Sequence, residues 1–452
     1  MVAASPVGRV LSVGHAAVRT VPWWARIVAV LSMAVLAGCG SLSGAATTNP
    51  VRAGGPAGGG ITTASTVTGG TVTGGTATGS LPAFYQTPDP LDPAPAGAII
   101  RSAVIPSAGF LPQGATAYRV LYHSQSLGGA DIAVSGLVVV PGGAPPPTGF
   151  PIVSWAHGTT GLAQQCAPSL EGFTSISLLD SLLDRHAIVA ATDYEGLGTS
   201  GVDPYLVGQS EGQTVLDAAR AARDLVGAAA SNVVVVLGYS QGGQAALFAS
   251  QIAASYAPEL FVAGAAAAAP VTSLDEFVPQ GSPSGADPAA VYAVMALDAW
   301  SATYGNLALS SVLTPTVVRR SSTITSECSG TLAALYDTTD SRQLFVPGWA
   351  DDPTLQSDVA RNEPGRSPTA TPLLVVEGTD DTLTPYPTVS AFVHDALCRT
   401  QDDAVEYVPL PGSGHGGAMV AGAPVILRWI SARLAGAPVP DSCSRLVRAG
   451  SS

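Results

Sequence analysis

"NVVVVLGYSQGGQAALFASQIAASYAP", residues 232–258, changes character twice within a few positions. Val233, Val234, Val235, Val236 and Leu237 form an unbroken apolar run, the mark of a strand buried on both faces of a parallel sheet. Ala245, Leu247, Phe248, Ile252 and Ala253 read as a helix, which stops before Pro258. Between them lies Gly238-Tyr239-Ser240-Gln241-Gly242, a G-x-S-x-G on a strand-to-helix turn. A sharp turn of this kind projects a serine from the sheet, and glycines at its flanks let strand and helix approach closely. A serine hydroxyl becomes a useful nucleophile only when a base takes its proton. Ser240 is therefore the candidate nucleophile, Gly238 and Gly242 shape its turn, and the Gln241 N–H is a candidate oxyanion donor.

Outward from this turn, "AYRVLYHS" and "DIAVSGLVVVP" read as a pair of early strands. "PIVSWAH", "AIVAATD", "NVVVVLG", "LFVAGAAAAAP", "TPLLVVEG" and "AVEYVPLP" follow, most of them separated by helical patterns. This alternation predicts an α/β fold with a mostly parallel central sheet flanked by helices. Residues 271–370 separate two neighbouring strands by far more chain than a crossover helix needs, and read as an inserted, mainly helical cap. The core is then expected in two parts, 81–270 and 371–440, with a tail at 441–452.

In this fold order the acid and the base follow the serine. The last strand runs into "VPLPGSGHGG", which puts His415 on a glycine-rich loop as the candidate base. Of the other histidines, His123, His186 and His394 fall within or between elements, and His157 precedes the serine. "LLVVEGTDDTLTP" offers Asp380 and Asp381, and the pattern G-x-x-D-x-x-x-P selects Asp381. Asp380 is the alternative and Asp275 a distant third. A second oxyanion donor is expected from "HGTTG", residues 157–161, at the Thr159 N–H with Thr160 next. His157 itself, like Asp193 and Tyr194 in "DYEGLG", reads as architectural.

The chain has 452 residues, 46% hydrophobic and only 11% charged. Its basic side chains are all arginine, and three of the nineteen stand in the first 38 residues, leaving sixteen against thirty-two acids. So acidic a body argues against nucleic-acid binding. Residues 1–38 read as an export signal: Arg9, Arg19 and Arg26 precede an apolar stretch, Ile27 to Ala37, that is too short to span a bilayer. It ends in Leu36-Ala37-Gly38-Cys39, which resembles a bacterial lipobox and makes Cys39 the expected site of lipid attachment. Residues 39–80 are rich in Gly, Ser and Thr and read as a solvated tether to a membrane. Cys166, Cys328, Cys398 and Cys443 remain, an even number in an exported chain, which suggests two disulfides. None has metal-ligand spacing, and neither a metal nor a cofactor is expected.

The ordered set "FYQTPDPL", "PAGAIIRS", "SWAHGTTG", "DYEGLG", "GYSQGG", "NEPG", "GTDDTLTP" and "PGSGHGG" resembles the secretory lipases, relatives of the fungal lipase A group. The resemblance covers roughly residues 81–440. It implies an α/β-hydrolase core, a cap after the sixth of the strands named above, and hydrolysis of carboxylic esters, acylglycerols among them. It matches the family's nucleophile, acid and base to Ser240, Asp381 and His415, and its oxyanion contacts to the HGTTG loop and Gln241. It also implies disulfides Cys166–Cys328 and Cys398–Cys443. The lipobox and tether depart from the fungal pattern and move the expected location to a cell envelope. The leading expectation is a lipase or esterase acting on neutral acyl esters, with specificity rising from acetyl to medium chains and some apolar surface of the cap facing the acyl group. A serine peptidase or acyltransferase on the same fold, and a catalytically silent envelope-binding lipoprotein, are the alternatives.

Overall fold

The computed structural model describes residues 81–107, 109–277, 289–336 and 339–444. The expected signal, Cys39 and the tether lie outside the described residues. Among the described residues nine strands form one sheet, in the order β1-β2-β3-β5-β4-β6-β7-β8-β9. They are β1 (Ile99–Ile105), β2 (Thr116–Gln125), β3 (Asp131–Val140), β4 (Phe150–Ala156), β5 (Ile188–Thr192), β6 (Ala230–Tyr239), β7 (Phe261–Ala268), β8 (Leu373–Gly378) and β9 (Val405–Leu410). β1, β2, β3 and β5 pair antiparallel, and every pairing from β5 through β9 is parallel. The eight expected strands are all present. β1 is an addition at the sheet edge. Arg101 and Ser102 interrupt its apolar residues, so it lacks the unbroken run that announces a central strand.

The valine run of β6 shows why the sheet needs two helical layers. Val234 and Val236 face the core shared with Val215 and Leu216 of helix α1 (Gly208–Val226) and Ala245 and Ala249 of helix α2 (Gln241–Tyr256). Val235 and Leu237 point the other way, into the layer of Ile426, Trp429 and Ile430. Successive strand residues alternate faces, so a continuous apolar run is the pattern that satisfies both layers.

Between β7 and β8 the chain leaves the sheet. Helix α3 (Ala290–Tyr304) and helix α4 (Pro353–Asn362) are the longest helices described in that stretch. Val294, Met295, Leu297 and Trp300 of α3 pack with Leu332, Tyr336, Phe345, Trp349 and Leu355, so the insertion has its own apolar core. Trp300 Nε1 donates to the Tyr205 carbonyl at 3.0 Å. Asn362, in the NEPG stretch, accepts from Gln244 of α2 at its carbonyl (2.7 Å) and from Tyr304 of α3 at its side chain (3.0 Å). Cys166–Cys328 joins the loop after β4 to the insertion, with Cα atoms 5.5 Å apart. Cys398–Cys443 ties the C-terminal segment back beside the sheet, at 5.1 Å. Both pairings are those the resemblance implies.

Candidate active site

Ser240 stands between the last residue of β6 and the first of α2, at φ 58° and ψ −118°. A non-glycine residue there carries strain of about 1–3 kcal/mol, and persists only where the surroundings hold it. Here the Ser240 N–H donates to the Ala268 carbonyl at 2.9 Å, and the Ser240 carbonyl accepts from Gly243 N–H at 2.8 Å. The flanking glycines are steric requirements. A β-carbon on Gly238 would lie 1.8 Å from the Gly242 carbonyl oxygen, and one on Gly242 would lie 2.0 Å from that of Ala156.

The loops after β8 and β9 converge on this serine. His415 Nε2 is 2.9 Å from Ser240 Oγ, and His415 Nδ1 is 2.8 Å from Asp381 Oδ2. Asp381 Oδ1 accepts from the N–H groups of Leu383 (2.8 Å) and Thr384 (3.0 Å), and Thr384 Oγ1 donates to Oδ2 at 3.0 Å. Burial by itself would raise the Asp381 pKa. The hydrogen bond and charge of His415, with the two backbone N–H groups, outweigh it and hold this carboxyl below the ordinary carboxylate range. An ionised Asp381 fixes the proton on Nδ1 and leaves Nε2 free to accept from the serine. Asp380 is exposed and accepts from Thr379 Oγ1, at 3.1 Å. Asp275 lines a different cavity, beside Glu363 and Arg366.

Gln241 begins α2, where the first N–H groups of a helix have no carbonyl of their own helix to serve. Its side chain donates to Glu211 Oε1 at 2.8 Å. The HGTTG loop follows β4 and runs past the serine, with Gly158 and Thr159 in the same cavity wall as Ser240. Ser329 of the insertion holds this loop. It donates its N–H to the Thr160 carbonyl (2.8 Å) and its hydroxyl to the Thr159 carbonyl (3.2 Å). His157 is buried against Tyr194, ring centroids 4.4 Å apart, and burial holds its imidazole below the ordinary range. Asp193 accepts from Ser135 Oγ, Ser169 Oγ and Ser169 N–H, which pins the loop around Cys166 to the sheet.

The cavity over Ser240 measures about 550 Å³, and no Lys or Arg is among its lining residues. Of the apolar side chains on α3, Tyr292 reaches it; Val291, Val294, Met295, Leu297 and Trp300 are consumed by the insertion's own core. Two carboxyls near the site were not singled out from sequence. Glu377, fully buried in β8, accepts from Gly378 N–H at 2.9 Å and is pushed to about 9 by burial and by the neighbouring Asp381 charge. Glu211 is raised by burial to about 8. The one available signal was the lone acid of Glu377 in an apolar strand.

A family model described as secretory lipase matches residues 170–442. The chain is 30% identical over 206 residues to "Probable inactive lipase MT1628" of Mycobacterium tuberculosis, over 42% of this chain and 45% of that one. It is 29% identical over 211 residues to Lipase A of Moesziomyces aphidis, over 43% and 44% respectively. These two matches thus span less than half the length of either relative. Candida antarctica lipase A in its closed state superposes with a TM-score of 0.67 at 18% identity, over 81% of this chain and 92% of that one, which shows the α/β-hydrolase fold. As the matched region takes in both the G-x-S-x-G turn and the loops carrying Asp381 and His415, and more than half of the sequence, the chain belongs to the secretory lipase family.

Proposed function

We propose that this protein is a serine-dependent carboxylic ester hydrolase that works through an acyl-enzyme on Ser240. The observation that carries the reading is the continuous relay from Ser240 Oγ through His415 to Asp381, at 2.9 and 2.8 Å. As Oγ attacks the ester carbonyl, His415 Nε2 takes its proton, and Asp381 stabilises the imidazolium that forms. The N–H groups of Gln241 and Thr159 meet the negative charge developing on the carbonyl oxygen. Loss of one such donor costs about a hundred- to a thousandfold in rate. His415 then returns the proton to the departing alcohol, and water repeats the sequence to release the acid. A relative bears the word inactive in its name; here an assembled relay supports an active enzyme. A cavity with no Lys or Arg in its lining favours neutral esters over anionic phospholipids.

The protein is exported, and the sequence Leu36-Ala37-Gly38-Cys39 supports a lipid anchor on Cys39. One experiment tests both parts. The protein is expressed in a bacterial host, labelled with a fluorophosphonate and separated between detergent and aqueous phases. The expected result is label on Ser240, absent in Ser240→Ala, and recovery in the detergent phase that Cys39→Ser abolishes. Label that persists in Ser240→Ala overturns the mechanism, and aqueous partitioning of the parent overturns the anchor.

A further inference from the structure

Glu211 stands in the first turn of α1 and is buried, and its Oε2 is shielded from solvent with no hydrogen-bond partner among the described residues. A carboxyl group placed in this way lowers stability unless its other oxygen compensates. Glu211 Oε1 accepts twice, from Gln241 Nε2 at 2.8 Å and from the Leu206 N–H at 2.8 Å. The first bond holds the residue that follows the nucleophile, whose backbone N–H is one candidate oxyanion donor. The second leads to the other candidate. Leu206 has φ 56°, a left-handed conformation that a leucine keeps only where its surroundings hold it. Tyr205, the residue before it, lines the cavity over Ser240 and places its hydroxyl 2.9 Å from Thr159 Oγ1.

We propose that Glu211 is a positioning residue that braces both halves of the oxyanion hole through one oxygen atom. Gln241 comes from the start of α2 and Thr159 from the loop after β4, yet their N–H groups must converge on a single substrate oxygen. Misplacement by about 1 Å in such an arrangement costs about a hundredfold in rate. The path from Gln241 through Glu211, Leu206 and Tyr205 to Thr159 fixes one side against the other. This rests on the ester-hydrolase reading and adds to it a residue that is not among those lining the cavity over Ser240. The brace requires an acceptor and no charge. Burial holds the Glu211 carboxyl up at about 8, so at pH 7 it is a neutral acid whose carbonyl oxygen accepts as an amide oxygen would. Glutamine at this position supplies the same acceptor, and leucine supplies none.

The test is steady-state kinetics of the full-length protein on one soluble ester, with the Ki of a trifluoromethyl ketone measured on the same variants. Ser240 Oγ adds to the ketone carbon, its proton passes to His415, and the ketone oxygen becomes the oxyanion of a stable hemiketal. Ki therefore reports the oxyanion hole with no leaving group involved. Glu211→Leu is expected to lower kcat and raise Ki together, each by about tenfold to a hundredfold, with KM changed by less than about threefold. Glu211→Gln should restore most of both. Gln241→Leu keeps the backbone donor and removes the side chain that Glu211 holds. Combined with Glu211→Leu it should add little to the larger single loss, because members of one hydrogen-bonded network couple. Tyr205→Phe removes only the hydroxyl beside Thr159 and should raise Ki severalfold, which keeps the test open if Glu211→Leu does not fold. An unchanged Ki, a loss carried by KM alone, or a Glu211→Gln protein as impaired as Glu211→Leu overturns the brace. Turnover and fluorophosphonate labelling of Ser240 in the parent would then leave the hydrolase reading intact. Absence of both in the parent overturns both.

Discussion

Asp380 and Asp381 are neighbours in sequence and differ in everything that decides the behaviour of a carboxyl group. Asp381 receives two backbone N–H groups, a threonine hydroxyl and the His415 ring, while Asp380 faces water. Asp381→Asn is expected to lower kcat by about four orders of magnitude, because an amide neither fixes the His415 tautomer nor balances the imidazolium. Asp380→Asn should stay close to the parent, and steady-state kinetics on one ester compares them. The G-x-x-D spacing made this choice legible, since it fixes where the turn after β8 presents its fourth residue. Glu377 was not legible in the same way, because its state depends on what covers it. Held near 9 by burial and by Asp381, it is neutral in the fold at pH 7, against an unfolded value of about 4.3. A raised value of this kind gives stability that is complete below the unfolded pKa and is lost as pH climbs towards the folded one. Glu377→Gln removes that loss. Its Tm relative to the parent should increase steadily from pH 5 to pH 9; parallel Tm curves would show that Glu377 is already ionised at neutral pH.

The strand–turn–helix unit of β6 and α2 was legible because three signals coincide: an apolar run, a G-x-S-x-G and a helical pattern ended by proline. Each has a separate physical cause, so their agreement is informative. The unit also explains why its glycines tolerate no side chain, because the atoms a β-carbon would meet are backbone. Gly242→Ala is expected to lose folded protein or to cost about 3 kcal/mol or more through overpacking. Any soluble fraction should label poorly with fluorophosphonate, as the turn that projects Ser240 is displaced. Thermal denaturation and labelling yield together check this. β1 escaped because none of its residues is buried, Arg101 and Ser102 interrupt its apolar residues, and it follows a proline-rich stretch. α3 is apolar and buried over nearly its whole surface, and such a run reports that a segment is covered while saying nothing of what covers it.

At the scale of the molecule, the insertion and the sheet are joined where chemistry is proposed to occur. Cys166–Cys328 closes a sequence separation of 162 residues, and the residue after Cys328 grips the loop expected to supply an oxyanion donor. Replacing both cysteines by alanine is expected to cost about 2–4 kcal/mol of stability. It should also lower kcat more than it raises KM, because donor placement matters most in the transition state. Unfolding curves beside steady-state kinetics measure both, and an unchanged kcat would show that Ser329 holds the loop without the bond. The sequence distance between β7 and β8 was readable in advance, because both strands are apolar runs. The shape of the cavity over Ser240 was not, because its walls come from the loops after β4, β7, β8 and β9 and from Tyr292 of α3, which only the folded chain brings together. The second disulfide acts at the far edge of the sheet. Ser442 donates its N–H to the Val405 carbonyl at 2.7 Å and accepts from Tyr407 N–H at 3.1 Å, filling ladder positions on β9 that a bare edge strand would offer to another chain. Since Cys443 adjoins that serine and is bonded to Cys398, a protease cutting anywhere between residues 411 and 440 leaves the plug attached. Protection of this sheet edge is thereby tied to the oxidised state, and the chain keeps it for as long as its surroundings stay oxidising.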